Sequence, residues 1–178
     1  MKSKIGIKTI SVAGLLTAVA AVLSIAESML PLQLAVPVPG IRLGLANVVT
    51  MFALFYFDPG LISAVVLTRC ALAALLAGSP ISFAFSITGS MLAMVVMLLL
   101  KLGYNRHFSL YGISVGGAAA HNVGQIAVAS VILQDASIFS YLPVLLLTGT
   151  AAGILTAAAA GPFIKQFGNS DLLKRISK

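Results

Sequence analysis

Long uninterrupted apolar runs constrain this chain more than any other feature. The hydrocarbon core of a bilayer is about 30 Å thick and is crossed by about 20 helical residues, and runs of roughly this type fill most of the 178 positions. Charged residues make up 8% of the chain, whereas an ordinary soluble domain has about 25%. Such a sequence cannot cover a soluble surface. We therefore predict a single all-α integral membrane domain over residues 1–178, a polytopic protein rather than a soluble enzyme.

The apolar runs are separated by clusters of turn-forming residues. Pro31, Pro37, Pro39 and Gly40 follow the first run, and similar clusters begin at Asp58 and Gly78. The pattern predicts six transmembrane helices, at about 8–30, 44–57, 60–77, 80–100, 110–133 and 141–163. The second and third are short, which allows strong tilt or partial re-entry. The first run is too long for the core of a signal peptide, so we keep it as a span.

The basic residues indicate how the chain is oriented. Nine of the 11 Lys and Arg residues lie in the N-terminal tail, in the loop after span four or in the C-terminal tail. They are Lys2, Lys4, Lys8, Lys101, Arg106, Lys165, Lys174, Arg175 and Lys178. Six spans place these three regions on one side, and the positive-inside rule makes that side cytoplasmic. Both termini are therefore predicted to be cytoplasmic, and the basic residues indicate a lipid bilayer rather than nucleic acid as the partner.

The two remaining basic residues are candidates for function. Arg42 lies in the first extracytoplasmic loop, and Arg69 lies near the middle of span three. A charge in hydrocarbon is costly, so Arg69 must face an anion or a watery cavity. Glu27, near the outer end of span one, is the only plausible internal anion. A Glu27–Arg69 ion pair and a substrate-binding role for Arg69 are both open, and the two can coexist.

Span five has the densest group of polar side chains. His121 and Gln125 are four residues apart and share a helix face, and Asn122 adjoins them. Such groups must form hydrogen bonds inward, either to other helices or to a ligand. We favour a ligand cavity, with Arg69 at the same depth and with Asn47 and Arg42 at its outer mouth. A single His in this run gives too few ligands for a metal site, and no cofactor is predicted.

Rows of small residues at four-residue spacing predict close helix packing. In span six they are Gly149, Gly153, Ala157 and Gly161, for which we predict internal packing. In span one there are two rows, Gly14 with Ala18, and Ala13 with Thr17 and Ala21. Two adjacent rows can serve an internal neighbour and a separate partner helix. A row of serines, Ser82, Ser86 and Ser90, predicts hydrogen bonds between helices.

Two segments together resemble a known family. Residues 39–47 (PGIRLGLAN), followed by Arg69 and by residues 121–125 (HNVGQ), resemble the "Gx transporter" or "heptaprenyl diphosphate synthase component I" family. That family is similar to the substrate-binding S components of energy-coupling factor transporters. The resemblance extends from about residue 8 to 165. One departure concerns span one, where S components often carry Ala-xxx-Ala and this chain has Gly14-xxx-Ala18 or Ala13-xxx-Thr17.

The resemblance implies a fold, a location and partners. It implies a six-helix bundle in the plasma membrane of a prokaryote, with a ligand site near the extracytoplasmic side that the first loop caps. It also implies that the first helix contacts a transmembrane coupling subunit, which two cytoplasmic ATPases drive. The chain has no G-x-x-x-x-G-K-[ST] phosphate loop, so ATP hydrolysis would come from a partner. We expect uptake of a small vitamin-like or anionic solute, with Phe83 and Phe85 able to contact a ring or short hydrocarbon.

Two alternatives remain open. The family label suggests a membrane accessory subunit beside a prenyl diphosphate synthase, and a small autonomous carrier is the other. Prenyl transfer itself needs clustered aspartates that hold magnesium against a diphosphate. The four acids of this chain, Glu27, Asp58, Asp135 and Asp171, are far apart in sequence. We therefore expect no catalysis by this chain.

Overall fold

The computed structural model describes residues 6–29 and 41–168. Its helices are α1 (Ile7–Ser28), α2 (Asn47–Leu54), α3 (Pro59–Ala77), α4 (Pro80–Lys101), α5 (Leu110–Leu133) and α6 (Leu142–Gly168), with a short 3-10 helix at Ala136–Tyr141. Within these ranges there is no β-strand, so the all-α prediction is confirmed. The predicted break at Pro31, Pro37, Pro39 and Gly40, and the basic residues Lys2, Lys4, Lys174, Arg175 and Lys178, lie outside the described residues.

The helix ends follow local chemistry at the predicted turn clusters. Pro59 and Pro80 open α3 and α4, at the position where the missing N–H of proline costs nothing. Gly78 ends α3 in the left-handed conformation with φ +61°, which glycine adopts without steric cost. The Ser79 hydroxyl then accepts a hydrogen bond from the Ser82 N–H at the start of α4. The α3–α4 turn is thus encoded locally.

Five segments are long and apolar enough to cross a membrane. They are α1, α3, α4, α5 and the continuous stretch Ala136–Phe167. The remaining helix, α2, has 8 residues and a length of about 12 Å, less than half of the hydrocarbon thickness. The predicted second span, 44–57, is therefore a short helix between two turns. Gly44, with φ +84°, precedes the first turn, and Asp58-Pro59 follows the second.

The contacts of α2 show that the chain still passes from one end of the bundle to the other. Just before α2, the Leu45 N–H donates to Glu27 near the C-terminal end of α1. At the other end, the Leu54 carbonyl accepts from Lys101 Nζ at the C-terminus of α4, at 2.5 Å. Tyr56 Oη donates to the Ile164 carbonyl near the end of α6. This path is consistent with six passages, of which the second includes non-helical backbone.

Helix α2 lies at the centre of the bundle. The long helices are neighbours in the order α1, α3, α4, α5 and α6, and α2 contacts each of them. Its side chains are buried around the whole helix, including Met51 and Leu54. The outer faces of the long helices are apolar, as expected where lipid is the solvent. A short helix in this position brings its own polar side chain, Asn47, into the middle of the molecule.

The small residues of α6 pack against α5. A β-carbon at position 153 would lie 2.8 Å from the Cα of Val115, a distance that only glycine permits. Gly149 and Ala157 of the same row are also buried. The predicted internal packing of this row is confirmed. On the other side of α5, a β-carbon at Gly124 would lie 3.0 Å from Gly89 Cα of α4, so α5 is in close backbone contact with both neighbours.

The orientation in the membrane stays a prediction and can be tested with introduced cysteines. Lys4→Cys, Asn105→Cys and Ser177→Cys should resist an impermeant maleimide in intact cells, because all three positions are predicted to be cytoplasmic. Ser137→Cys, at an exposed position between α5 and α6, should react and is the matched control. The native Cys70 is buried and should not interfere. Labelling at position 4, 105 or 177 would contradict the six-passage topology.

Candidate functional site

Arg69 joins four helices through its guanidinium group. The residue is 3% exposed. Its Nη1 donates to Ser24 Oγ of α1 at 3.2 Å, and its Nη2 donates to Asn47 Oδ1 of α2 at 3.1 Å and to Ser90 Oγ of α4 at 2.7 Å. All three acceptors are neutral, and Nε has no partner. The charge of Arg69 is therefore held in the centre of the bundle without a hydrogen-bonded anion.

Glu27 is bound to backbone rather than to Arg69. Its carboxylate accepts hydrogen bonds from the Gly44 N–H at 2.6 Å and from the Leu45 N–H at 3.1 Å. The positive φ of Gly44 turns the chain so that these consecutive N–H groups converge on one anion. The predicted Glu27–Arg69 ion pair is thus not a direct contact. Glu27 instead interacts through space with Arg42 and Arg69.

Gln125 of α5 binds the backbone of Arg42, two residues before Gly44. Its Oε1 accepts from the Arg42 N–H at 2.7 Å, and its Nε2 donates to the Arg42 carbonyl at 2.7 Å. We call residues 41–46 the outer segment. Glu27 of α1 and Gln125 of α5 satisfy its backbone groups, which would otherwise be buried without partners. Because both ends of the Gln125 amide are used, a ligand could bind them only by displacing the outer segment.

The side chain of His121 lies between two glycines. A β-carbon at Gly44 would be 2.9 Å from His121 Cδ2, and one at Gly89 would be 2.8 Å from His121 Nδ1. The ring is 2% exposed. Neither ring nitrogen makes a hydrogen bond of good geometry, although the Gly89 backbone is a polar neighbour. The absence of side chains at positions 44 and 89 thus creates the space that the imidazole occupies.

Asn122 points to a different neighbour. Its Nδ2 donates to the Leu145 carbonyl of α6 at 2.5 Å, beside Gly149, where a β-carbon would collide with the same nitrogen. Residues 121 and 122 are separated by about 100° around the helix, so they face different sides of α5. Asn122 therefore joins α5 to α6, and the structure does not bring its amide to the other predicted site residues.

The remaining predicted site residues are together. They form what we call the polar cluster, which also contains two serines that were not among the predicted site residues. Its members, all of them buried, are Ser24, Glu27, Arg42, Asn47, Arg69, Ser90, His121 and Gln125. Ser90 belongs to the predicted serine row, and Ser24 precedes Glu27 by one helical turn, which is the pattern that could have indicated them.

Several buried polar atoms have no hydrogen-bond partner among the described residues. They are Asn47 Nδ2, Arg69 Nε, both ring nitrogens of His121, Ser86 Oγ, Ser114 Oγ and Asn122 Oδ1. Buried polar groups in folded proteins are almost always bonded to protein or water. The first three residues belong to the polar cluster, so this cluster is able to bind further polar atoms. The described residues contain no group of three His, Cys, Asp or Glu side chains that could hold a metal ion.

A separate groove lies where α3 and α4 meet. It has a volume of about 490 Å³ and is almost entirely apolar. Its lining residues are Ala71, Ala74, Leu75, Gly78, Ser79, Pro80 and Phe83. Phe83 thus contacts the groove, whereas Phe85 is buried in the protein core, 1% exposed.

Comparison with known proteins identifies the family. A family model described as "Heptaprenyl diphosphate synthase component I" matches residues 16–163, which include every described member of the polar cluster. The chain belongs to this family. No curated protein and no solved structure matches the chain. The resemblance of residues 39–47, 69 and 121–125 to the heptaprenyl diphosphate synthase component I family is therefore confirmed. The family name associates the chain with a membrane component related to that synthase.

Proposed function

We propose that this protein is the solute-binding membrane subunit of an uptake transporter of the energy-coupling factor type. The observation that supports this function best is the polar cluster. It places charged and amide groups, some without partners, at the centre of a membrane bundle, where polar side chains generally mark a substrate pathway. A purely structural cluster would be expected to satisfy its own hydrogen bonds.

The outer segment supports entry of the solute from the extracytoplasmic side. It covers the polar cluster through side-chain hydrogen bonds from Glu27 and Gln125, not through a helix or a sheet. Its backbone can therefore separate from α1 and α5 without unfolding either helix. Release of these bonds would expose Asn47 and His121, which lie directly beside Gly44. Binding of a solute would then involve movement of the outer segment.

The first helix offers a surface to a partner. Gly14 and Ala18 are exposed, and a β-carbon at position 14 would meet no atom within 4 Å. Thr17 and Ala21 of the other row are buried, and Ala13 is half-buried. The two small-residue rows of α1 therefore face different ways, one toward the bundle and one toward the surroundings. The outward row fits close approach by a helix of a coupling subunit, which in turn would bind cytoplasmic ATPases.

Gly14→Leu is expected to reduce recovery of these partners at least about tenfold while leaving the bundle folded. The added side chain extends into open space, so it blocks only a helix that approaches from outside. The measurement is quantitative mass spectrometry of proteins that co-purify with the tagged chain from its native membrane. We expect ATPases with phosphate-binding loops and one polytopic coupling subunit. The control is Ala158→Leu, on an exposed face of α6, which should recover the partners normally.

Thr17→Leu provides the contrasting variant. Because Thr17 is 8% exposed, this substitution should lower the thermal stability of the isolated chain. Failure to recover any coupling subunit or ATPase with the wild-type chain would reject the transporter proposal. Equal recovery with Gly14→Leu and wild type would instead show that the outward row of α1 is not the partner surface.

The second candidate function is that of a membrane accessory subunit for a prenyl diphosphate synthase, and the family description favours it. The same co-purification distinguishes the two, because this function requires a soluble synthase as the recovered partner. Solute uptake by the purified chain alone in proteoliposomes would favour an autonomous carrier. In each case we propose that the chain binds rather than catalyses, since its acids Glu27, Asp58 and Asp135 occupy separate elements.

A further inference from the structure

The polar cluster has an unbalanced charge. It contains two arginines, Arg42 and Arg69, and one carboxylate, Glu27. The carboxylate is bonded to backbone N–H groups, and the two guanidinium groups repel each other. If all three groups are charged, the cluster has one positive charge in excess. In a low-dielectric interior an uncompensated charge is strongly unfavourable, and a bound counter-charge would relieve this cost.

Arg42 brings a second guanidinium group to the cluster. The residue is 7% exposed, and its backbone N–H and carbonyl are both bonded to Gln125. Its guanidinium group, in contrast, makes no hydrogen bond or ion pair with the residues in 6–29 and 41–168. A guanidinium group has five N–H donors and no acceptor. Such a group of donors suits an anionic acceptor.

The buried atoms of the cluster that have no partner are mainly donors. Arg69 Nε and Asn47 Nδ2 carry hydrogens only, and a neutral imidazole at His121 has one donor and one acceptor nitrogen. The partner that these donors would bind best is therefore a negatively charged group with several acceptor oxygens. Neutral hydroxyls or amines would satisfy fewer of these atoms and would leave the excess charge uncompensated.

We propose that the polar cluster binds an oxyanion, the carboxylate or phosphate group of the transported solute, between Arg42 and Arg69. Planar guanidinium groups bind both kinds of oxyanion through paired N–H···O hydrogen bonds, and Asn47 and His121 lie beside them to contribute further donors. Glu27 is the internal counter-charge of the two arginines and repels an incoming anion. This inference rests on the proposed function only in taking the bound anion to be part of the transported solute.

The test uses the purified full chain, with Cys70 as the reporter. Cys70 is 1% exposed and follows Arg69 directly, so a maleimide dye that fluoresces on reaction reports when the centre of the bundle opens on heating. Inorganic phosphate and acetate are titrated at constant ionic strength, with chloride as the reference anion. We expect phosphate or acetate, or both, to raise the unfolding midpoint in a saturable way. The anion that raises the midpoint at the lower concentration shows whether the site prefers phosphate or carboxylate.

Three variants test which charged groups strengthen or weaken anion binding. Arg42→Gln removes a guanidinium group that has no hydrogen bond to residues 6–29 or 41–168, so we expect normal folding and at least about tenfold weaker anion binding. Glu27→Gln removes the repelling charge and should strengthen anion binding. Arg106→Gln removes an equal charge from an exposed loop and is the matched control, with unchanged binding expected.

The same titration in nanodiscs separates a lipid headgroup from a free anion as the source of the oxyanion. If adding anionic phosphatidylglycerol abolishes the phosphate effect, the headgroup occupies the site. If the effect persists, the site takes free solute. Both outcomes retain an oxyanion site in the cluster.

The inference is overturned if neither phosphate nor acetate stabilises the chain more than chloride. It is also overturned if Arg42→Gln and Arg106→Gln weaken the effect equally, or if Glu27→Gln weakens it. Co-purified ATPases without an anion effect would reject the oxyanion and keep the transporter proposal. Anion binding without such partners would keep the oxyanion site and reject the transporter proposal.

Discussion

Arg69→Ala is expected to give the largest loss of stability of any single substitution in the polar cluster. The guanidinium group of Arg69 supplies the hydrogens for Ser24, Asn47 and Ser90, so its removal leaves three buried acceptors without this donor. Each such loss costs about 1–3 kcal/mol, and Glu27 also loses one of two nearby positive charges. A total of about 4 kcal/mol would lower the unfolding midpoint by roughly 8–16 °C in a chain of this size.

Arg69→Lys separates the charge from the hydrogen bonds. Lysine keeps the positive charge but lacks the planar fork that reaches three helices at once, so we expect an intermediate midpoint. The measurement is the Cys70 reaction on heating, with recovery of monodisperse protein as a second readout. Arg106→Ala should behave as wild type because Arg106 is exposed. A wild-type midpoint for Arg69→Ala would show that Arg69 does not connect α1, α2 and α4 to α3.

The sequence predicts the polar cluster well because the membrane leaves few alternatives. In hydrocarbon, side chains such as Arg69, His121 and Gln125 must face the bundle interior. Helical spacing then places His121 and Gln125 on one face of α5. Because α3 and α5 run in the same direction and Arg69 and His121 are each near the middle of their helix, the two residues lie at a similar depth. Exclusion of polar side chains from lipid and the helical repeat are therefore enough to predict that Arg69, His121 and Gln125 lie together.

The partners within the cluster could not be predicted in the same way. Glu27 and Gln125 both bind backbone groups of the outer segment. Every residue offers the same backbone groups, so no side-chain pattern marks the position that is bound. Asn122 shows a related difficulty, because adjacency to His121 in sequence places it about 100° away around the helix. Only the position of α6 decides that Asn122 bonds to the Leu145 carbonyl.

The extent of α2 illustrates how tertiary structure overrides an apolar run. Residues 44–57 are apolar enough to be taken as one helix, yet Gly44 adopts φ +84°, and the regular helix begins at Asn47 and ends at Leu54. Such a short helix would leave backbone groups at its ends without partners. Here Glu27 binds the Leu45 N–H just before the helix, and Lys101 binds the Leu54 carbonyl at its end. These contacts come from α1 and α4, so the run itself contains no indication of them.

Gly44→Ala is expected to destabilise the chain strongly and to weaken solute binding. The left-handed conformation of Gly44 costs a non-glycine residue about 1–2 kcal/mol. The new β-carbon would also lie 2.8 Å from Asn47 Nδ2 and 2.9 Å from His121 Cδ2, and overpacking of this kind costs about 1–3 kcal/mol more. Relief of the overlap would move the outer segment, Asn47 or His121, and each of these movements alters the polar cluster.

Gly78→Ala is the matched control, because Gly78 has φ +61° and a β-carbon there would meet nothing within 4 Å. It should show the backbone cost alone, so the difference between the two midpoints measures the overlap. Adding His121→Ala to Gly44→Ala removes one of the colliding groups and should recover part of that difference, beyond what the two single effects predict by addition. If Gly44→Ala and Gly78→Ala had equal midpoints, the outer segment would move without cost. Its contact with His121 would then not be what closes the site.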